Sequence, residues 1–370
     1  MVLADVWTGG DIAGRSRGRL MLLALPFVIL AVVGIIWLVV GPGWDLLLLL
    51  AVGPAVAAGV GALLYTLVAG VAAIAESLAF AVNLPRAASR PAEIMFLAVV
   101  GVTAAGILAS RGRRRREHEL AESRLVADVA QRVLLRPVPS QIGPVGLAVR
   151  YLSASSGARI GGDLYEVVNT DGVVRLVLGD VEGKGLPSVA AAAAVLGVFR
   201  EAAYEESSLT AIAARMETSL RRHLGEEQFV TAILAEISAD GDKIELLSCG
   251  HPEPLLLGSG RPRFVGPEQS SLPLGLGEVA DVPRFPLVAS LEPGEGMLFY
   301  TDGASEARNK AGDFFPLADC VSVRSLDDPA TLVDRLGDEV IRHVGHAPDD
   351  DVALLLTYRT PSPNEAATAR

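Results

Sequence analysis

Cysteine and charge are the scarce materials of this chain, and each scarcity excludes something. Two cysteines, Cys249 and Cys320, in 370 residues cannot build a disulfide framework. Each lies in or beside an apolar stretch, so each is expected to be a buried free thiol, which fits a reducing compartment. No run of cysteine and histidine has zinc-site spacing. Charged residues are only 20% of the chain against 51% hydrophobic, and they are spread unevenly. None occurs between Arg19 and Asp45, between Asp45 and Glu76, or between Glu93 and Arg111. The net charge of −11 argues against a nucleic-acid partner.

The charge-free gaps read as a membrane domain over 20–110. Leu20 to Val40 has the roughly 20 apolar residues that one crossing needs. Arg15, Arg17 and Arg19 ahead of it resemble the start of a signal peptide, but Trp37 and the long apolar tail do not look like a cleavage site. Leu46 to Val82 is too long for one crossing and suits two short ones, turning near Gly59 to Gly61. Glu76 is the blemish, a carboxylate expected near the outer end of the third crossing. Ile94 to Ala109 supplies a last crossing. Arg111, Arg113, Arg114, Arg115 and Arg116 follow it, and the positive-inside rule puts both arginine clusters in the cytoplasm. Two cytoplasmic flanks require an even count. Four crossings are therefore expected, with three as the fallback, and the remainder of a multi-pass cell-membrane protein lies in the cytoplasm. The arginine run touches lipid headgroups at most. No transport signature interrupts the membrane part, which reads as an anchor or a small sensor.

Residues 1–19 are then a cytoplasmic N-terminal segment, and 111–138 a basic flank with a helical linker. Leu120, Leu125, Val129 and Val133 give the stretch from Arg116 to Leu135 one apolar stripe, and Pro137 and Pro139 stop it. Such a helix pairs with its copy in a homodimer or packs on its own domain, and both remain open. A soluble domain occupies 139–360, and a disordered tail 361–370.

In the soluble domain, strands are expected at Val145–Leu152, Leu164–Asn169, Val173–Leu178, Phe229–Ile237, Lys243–Ser248, Met297–Tyr300 and Val352–Tyr358. Helices are expected from Leu186, over Leu209–Leu224 and over Leu332–Val344. Asp240-Gly241 marks a hairpin. Aspartates then fall at the edges of four strands: Asp163, Asp180, Asp302 and Asp350. In an antiparallel sheet the exit of one strand lies beside the start of its neighbour, so the four can share one rim. Carboxylates gathered there need a cation, and an all-oxygen ligand set suits Mg²⁺ or Mn²⁺. Turn aspartates at four sites are the plainer alternative. Gly183-Lys184-Gly185 lacks the full phosphate-loop pattern and reads as a turn into a helix. Arg159 is a candidate for holding an anion, Arg136 a local cap, and His251 either an acid or a structural hairpin histidine.

These junctions together resemble the metal-dependent, type 2C-like protein phosphatases, in the bacterial branch typified by the sporulation stage II protein E phosphatase domain. The resemblance rests on Leu134 to Pro139, Gly161-Gly162-Asp163-Leu164-Tyr165, Gly179 to Gly185, Gly250-His251-Pro252, Tyr300-Thr301-Asp302-Gly303 and Asp350-Asp351-Val352, in that order. It covers Leu134 to Arg359. It implies an α+β fold, a two-layer, mostly antiparallel β-sandwich flanked by helices, here preceded by an α-helical membrane bundle. It implies a site for two Mn²⁺ or Mg²⁺ ions. Asp180 would be shared by both, with the Val181 carbonyl as a further ligand. Asp302 and Asp350 would bind one ion and Asp163 the side of the other, with Gly162 giving room. Three aspartates in a row, Asp349 to Asp351, leave that register open by one. Asp180 and Asp163 carry the catalytic role, in which an activated water attacks phosphorus in line without a covalent intermediate. The implied activity is hydrolysis of phosphoserine or phosphothreonine on a regulatory phosphoprotein, such as an anti-sigma-factor antagonist. A catalytically inactive binding module in a membrane signalling complex is the alternative.

Overall fold

The computed structural model describes residues 11–40, 46–60, 63–82, 89–154, 162–183, 185–223, 228–258, 260–267, 271–277, 283–321 and 328–360. Residues 1–10, the tail 361–370, Arg159, Gly161 and Lys184 lie outside them. The chain divides into two compact units, Met1–Ala121 and Glu122–Arg370, so the boundary falls inside one long helix.

The first unit holds α1 (Asp11–Val40), α2 (Leu46–Leu49), α3 (Val52–Val60), α4 (Leu63–Val82) and the first part of α5 (Ser89–Leu134). Small residues face inward: Ala57, Ala69, Gly70 and Ala73 are buried. Large apolar ones such as Val28, Ile35, Leu64, Val71, Ile94 and Leu97 point out. Leu30, Val33, Leu50, Phe80 and Val99 complete the inner cluster, and the small residues let backbones approach closely. A Cβ on Gly34 would meet the Glu76 carboxylate at 2.6 Å, and Trp37 stacks on Phe80 with centroids 4.4 Å apart. Those two pairings advance in the same sense along both helices, so α1 and α4 are parallel. Thr66 and Ser110 hydroxyls are 3.3 Å apart, and Gly70 abuts Thr103, so α4 and α5 run antiparallel. The chain between α1 and α4 must therefore return, and it does so as α2 and α3. Leu46 to Val60 reaches roughly 22 Å as helix, short of the roughly 30 Å of a bilayer core. Arg113 donates to the carbonyls of Gly59 (3.1 Å) and Ala58 (3.3 Å), closing the exposed C-terminus of α3.

Four helices are long and apolar enough to cross a membrane by length and composition: Leu23–Val40, Leu63–Val82, Phe96–Glu122 and Leu186–Glu205. The last belongs to the second unit, where its alanine-rich stripe packs on a sheet. It is a core helix of that unit.

The second unit is a sandwich. One sheet has the order β1 (Gln141–Ile142), β2 (Val145–Leu152), β11 (Val352–Arg359), β10 (Gly296–Tyr300), β7 (Leu255–Leu257), β8 (Arg263–Phe264). The other runs β3 (Leu164–Thr170), β4 (Val173–Val181), β5 (Val230–Ile237), β6 (Lys243–Cys249), β9 (Leu287–Ser290). All these strand pairings are antiparallel. Both faces of the central strands are covered, which is why they read as unbroken apolar runs. Leu176 and Leu178 of β4 meet Phe299 and Leu355 in the layer between the sheets, while Val177 and Val181 face α6 (Leu186–Glu205) and α7 (Leu209–His223). Likewise Leu354 and Leu356 face α10 (Pro329–Val344). Asp328 caps α10 by accepting from Thr331 N at 3.3 Å, and Gly345 ends it in the left-handed region at φ 80.

The strands expected from the sequence are present with shifts of a residue or a few at their ends. The two-residue strands β1 and β8, the short β7 and β9, and the four-residue helices α8 (Asp302–Ser305) and α9 (Leu317–Cys320) were not expected. Asp171-Gly172, with φ of 54 and 93, forms the tight turn joining β3 to β4. Cys249 is buried and Cys320 half-buried, and both are free thiols. Burial pushes Cys249 up to about 12, so it is inert at neutral pH.

Candidate active site

Two register pairs bring the acids together. Leu164 pairs with Gly179, so Asp163, one residue before β3, lies beside Asp180 near the end of β4. Tyr300 pairs with Leu354, so Asp302, just past β10, lies beside the Asp350 junction that opens β11. One pair belongs to each sheet. Thr301 ties the two: its hydroxyl donates to Asp163 Oδ2 at 2.7 Å, and the same oxygen accepts from Ala353 N at 2.9 Å.

Glycines make the close approach possible. Any Cβ on Gly162 would overlap the Val181 carbonyl, and one on Gly179 would overlap the Thr231 carbonyl. One on Gly303 would overlap the Asp351 carbonyl. Gly162 thus seats the Val181 carbonyl directly over its own backbone.

Electrostatics register the crowding. Asp180 is pushed up to about 8, by burial first and then by Asp302, Asp350, Asp351 and Glu182. Burial, then Asp180, drives Asp163 well above its ordinary value, opposed by the Thr301 hydrogen bond. Asp302 is raised by burial, then by Asp350 and Glu306. A donor set of carboxylates with a backbone carbonyl is hard and anionic, and it fits Mg²⁺ or Mn²⁺. Among the described residues no three of these side chains already close round one point at ligand distance.

The aspartate triplet divides by role. Asp351 is 1% exposed and its carboxylate accepts three hydrogen bonds. It accepts from Ala154 N at 2.7 Å, from Gln131 Nε2 at 3.0 Å, and from the Tyr151 hydroxyl. It is an anchor for the surrounding chain. Asp350 is half-exposed and, with Asp302, lines a cleft. Gln131 lies in the last turns of α5 and is buried, and its amide also donates to the Asp163 carbonyl at 3.3 Å. Sequence reading missed it. A lone amide among Ala130, Leu134 and Leu135 was the available signal. Ala130 and Leu134 pack toward Val189, while Leu120, Val126, Val129 and Val133 remain exposed.

His251 is no acid here. It is buried, with Nδ1 3.2 Å from the Thr231 hydroxyl and Nε2 donating to the Tyr300 carbonyl at 3.1 Å. Burial pushes it down to about 3, so it stays neutral and braces β5 against β10. Arg200 ties the end of α5 to the site's scaffold: it pairs with Glu166 at 2.5 Å and donates to the Leu134 carbonyl at 2.9 Å.

The Stage II sporulation protein E (SpoIIE) family matches residues 170–360, a span that holds Asp180, Asp302 and Asp350. The chain belongs to this family. A curated relative, phosphoserine phosphatase RsbU of Bacillus subtilis (strain 168), is 21% identical over 196 residues, covering 52% of this chain and 56% of the relative. The chain thus spans about half the length of that relative. Among solved structures, the SiaA-PP2C domain of Pseudomonas aeruginosa superposes with a TM-score of 0.55 at 16% identity, covering 67% of this chain and 98% of that one. The PP2C phosphatase domain of SpoIIE from Bacillus subtilis, with a fragment of its regulatory domain, gives 0.50 at 17% identity, covering 58% and 64%. The second unit has the type 2C phosphatase fold.

The raised acids set a pH signature. A carboxyl raised in the folded state holds a proton that the unfolded chain releases, so its contribution is full below the unfolded value of 3.8 and lost as pH rises through about 8. The melting temperature of the metal-free protein is expected to fall between those limits. Mn²⁺ should flatten the fall, and Asp180→Asn should remove much of it. A metal-free melting temperature that rises with pH across this window would contradict the assignment.

Proposed function

We propose that this chain is a membrane-anchored, metal-dependent phosphatase that hydrolyses phosphoserine or phosphothreonine on a regulatory protein. The observation that carries the reading is the meeting of Asp163, Asp180, Asp302 and Asp350 at one end of the sandwich, with Asp180 raised to about 8. Asp180 and the Val181 carbonyl would serve two Mn²⁺ or Mg²⁺ ions together, Asp302 and Asp350 one of them, and Asp163 the other's side. Such ions supply positive charge for the phosphoryl oxygens and acidify a water nucleophile. The chain's own residues do the positioning. Thr301 fixes the Asp163 carboxylate, Gly162 leaves room for the Val181 carbonyl, and Asp351 holds the Ala154 and Tyr151 segment in place. The aspartates themselves leave the metal-free site an unfavourable place for a phosphate dianion.

The phosphoserine activity in the name of the curated relative supports the substrate class, and an anti-sigma-factor antagonist is the kind of protein expected. Four crossings, α1, α2 with α3, α4 and α5, would place the arginine flank and the second unit in the cytoplasm. Gln131 and Arg200 give α5 two holds on the acid site, so we expect regulation to pass through that helix and α6. Its exposed face, Leu120, Val126, Val129 and Val133, suits a homodimer.

Full-length protein in detergent should release phosphate from a phosphoserine peptide with Mn²⁺. Chelator should abolish the release, and Asp180→Asn should lower the turnover by more than about a hundredfold. Activity that survives chelator or the substitution would sink the two-metal reading. Light scattering should find a dimer that Val133→Glu converts to monomer, whereas a monomeric wild type would rule the pairing out.

A further inference from the structure

A cleft of about 200 Å³ opens beside the acids, lined by Asp302, Gly303, Glu306, Arg308, Asp349 and Asp350 among others. Four of its lining residues are carboxylates, beside Ala307, Val344 and Pro348, and Arg308 is the one cation among the described lining residues. The arginine is exposed, yet its place is fixed. Its guanidinium lies 4.0 Å above the Phe314 ring, and Nη1 donates to the Gly312 carbonyl at 3.3 Å.

The loop that carries it is braced. Arg308 and Phe314 face each other as an antiparallel bridge, and Phe315 N donates to the Ala307 carbonyl at 2.9 Å. Asn309 Oδ1 accepts from Ala311 N at 2.9 Å and Asp313 N at 3.0 Å, closing the turn. His343 of α10 donates to the Asp313 carbonyl at 3.0 Å and packs edge-on to buried Phe315. The loop is thus pinned at both its tip and its base. A stacked guanidinium keeps its edge N–H groups for a planar anion, and its planar fork loses little freedom on binding one. Four carboxylates line the cleft around it, Asp302, Glu306, Asp349 and Asp350.

We infer that Arg308 is a specificity-determining residue, receiving an acidic side chain that flanks the phosphorylated residue of the substrate protein. The inference rests on the reading of the acids as a phosphatase site. Asp302 and Asp350 belong both to that site and to this cleft, so a peptide presenting its phosphoryl group to the acids passes along the cleft. Glu306 and Asp349 would repel an aspartate or glutamate at other points, and Arg308 would accept one. Selection of one acidic position against a negative wall combines an attractive contact with a repulsive surround.

The test uses full-length protein in detergent with Mn²⁺. Phosphoserine peptides carry a single aspartate or a single lysine, moved through the positions on either side of the phosphoserine. At one position wild type should prefer aspartate to lysine by about three- to tenfold in kcat/KM, expressed in KM. Arg308→Gln should bring that ratio near one. Arg308→Glu should reverse it, and a gain on the lysine peptide is an effect that misfolding does not produce. A wild type without a preference, or a preference that both variants keep, would overturn the inference and leave the phosphatase reading standing. Both variants losing all turnover with an unchanged melting transition would place Arg308 in the reaction and overturn it too. No release from any peptide by wild type would overturn the phosphatase reading, and this inference with it.

Discussion

Four aspartates that repel one another are held at one end of the sandwich by packing that has nothing to do with them. The two sheets bury Leu176, Leu178, Phe299, Leu355 and their neighbours between them, and the strand registers then dictate where Asp163, Asp180, Asp302 and Asp350 fall. Each acid is raised or lies beside one that is. Ionising all of them together costs free energy. The remedy is a proton at low pH or a cation at neutral pH. The glycines, the Thr301 hydroxyl and the hydrogen-bonded Asp351 all serve this crowded arrangement. They let backbones approach, set one carboxylate's direction, and hold a fifth acid in place by hydrogen bonds.

The first unit follows the opposite solvent logic. Ala57, Ala69, Gly70 and Ala73 are buried beside Leu30, Val33, Leu50, Phe80 and Val99, while many other large apolar residues are exposed. The α2–α3 return is broken and short, and Arg113 closes its end where α5 leaves the bundle. The second unit receives the end of α5 through Gln131 on one side and Arg200 on the other. Change in α5 near Leu134 would thus be felt at both Asp163 and Asp351.

Much of this was legible in the sequence because the signals were local. Unbroken apolar runs identified β4, β10 and β11, and Asp240-Gly241 identified the β5–β6 hairpin. Aspartates at strand ends marked the site, since antiparallel pairing converts strand ends into a shared rim. What escaped was set by distant partners. The division between Asp350 and Asp351 depends on Tyr151, Ala154 and Gln131, roughly 200 residues away in the chain. The stripe Leu120, Leu125, Val129 and Val133 drew attention to one face of α5, whereas Ala130, Gln131 and Leu134 make its contacts with the second unit. Strands as short as β1 and β8 carry no period, so only tertiary pairing defines them. Arg308 carried no signal in the sequence, because Phe314, its stacking partner, is brought to it by the turn over Asn309 to Asp313.

Electron paramagnetic resonance of Mn²⁺ titrated into the full-length protein tests the central claim most directly. The account predicts two ions per chain at saturation, with spins coupled through a shared carboxylate, and loss of the coupled signal in Asp180→Asn. A single uncoupled ion at saturation, or a coupled pair that survives Asp180→Asn, would contradict it.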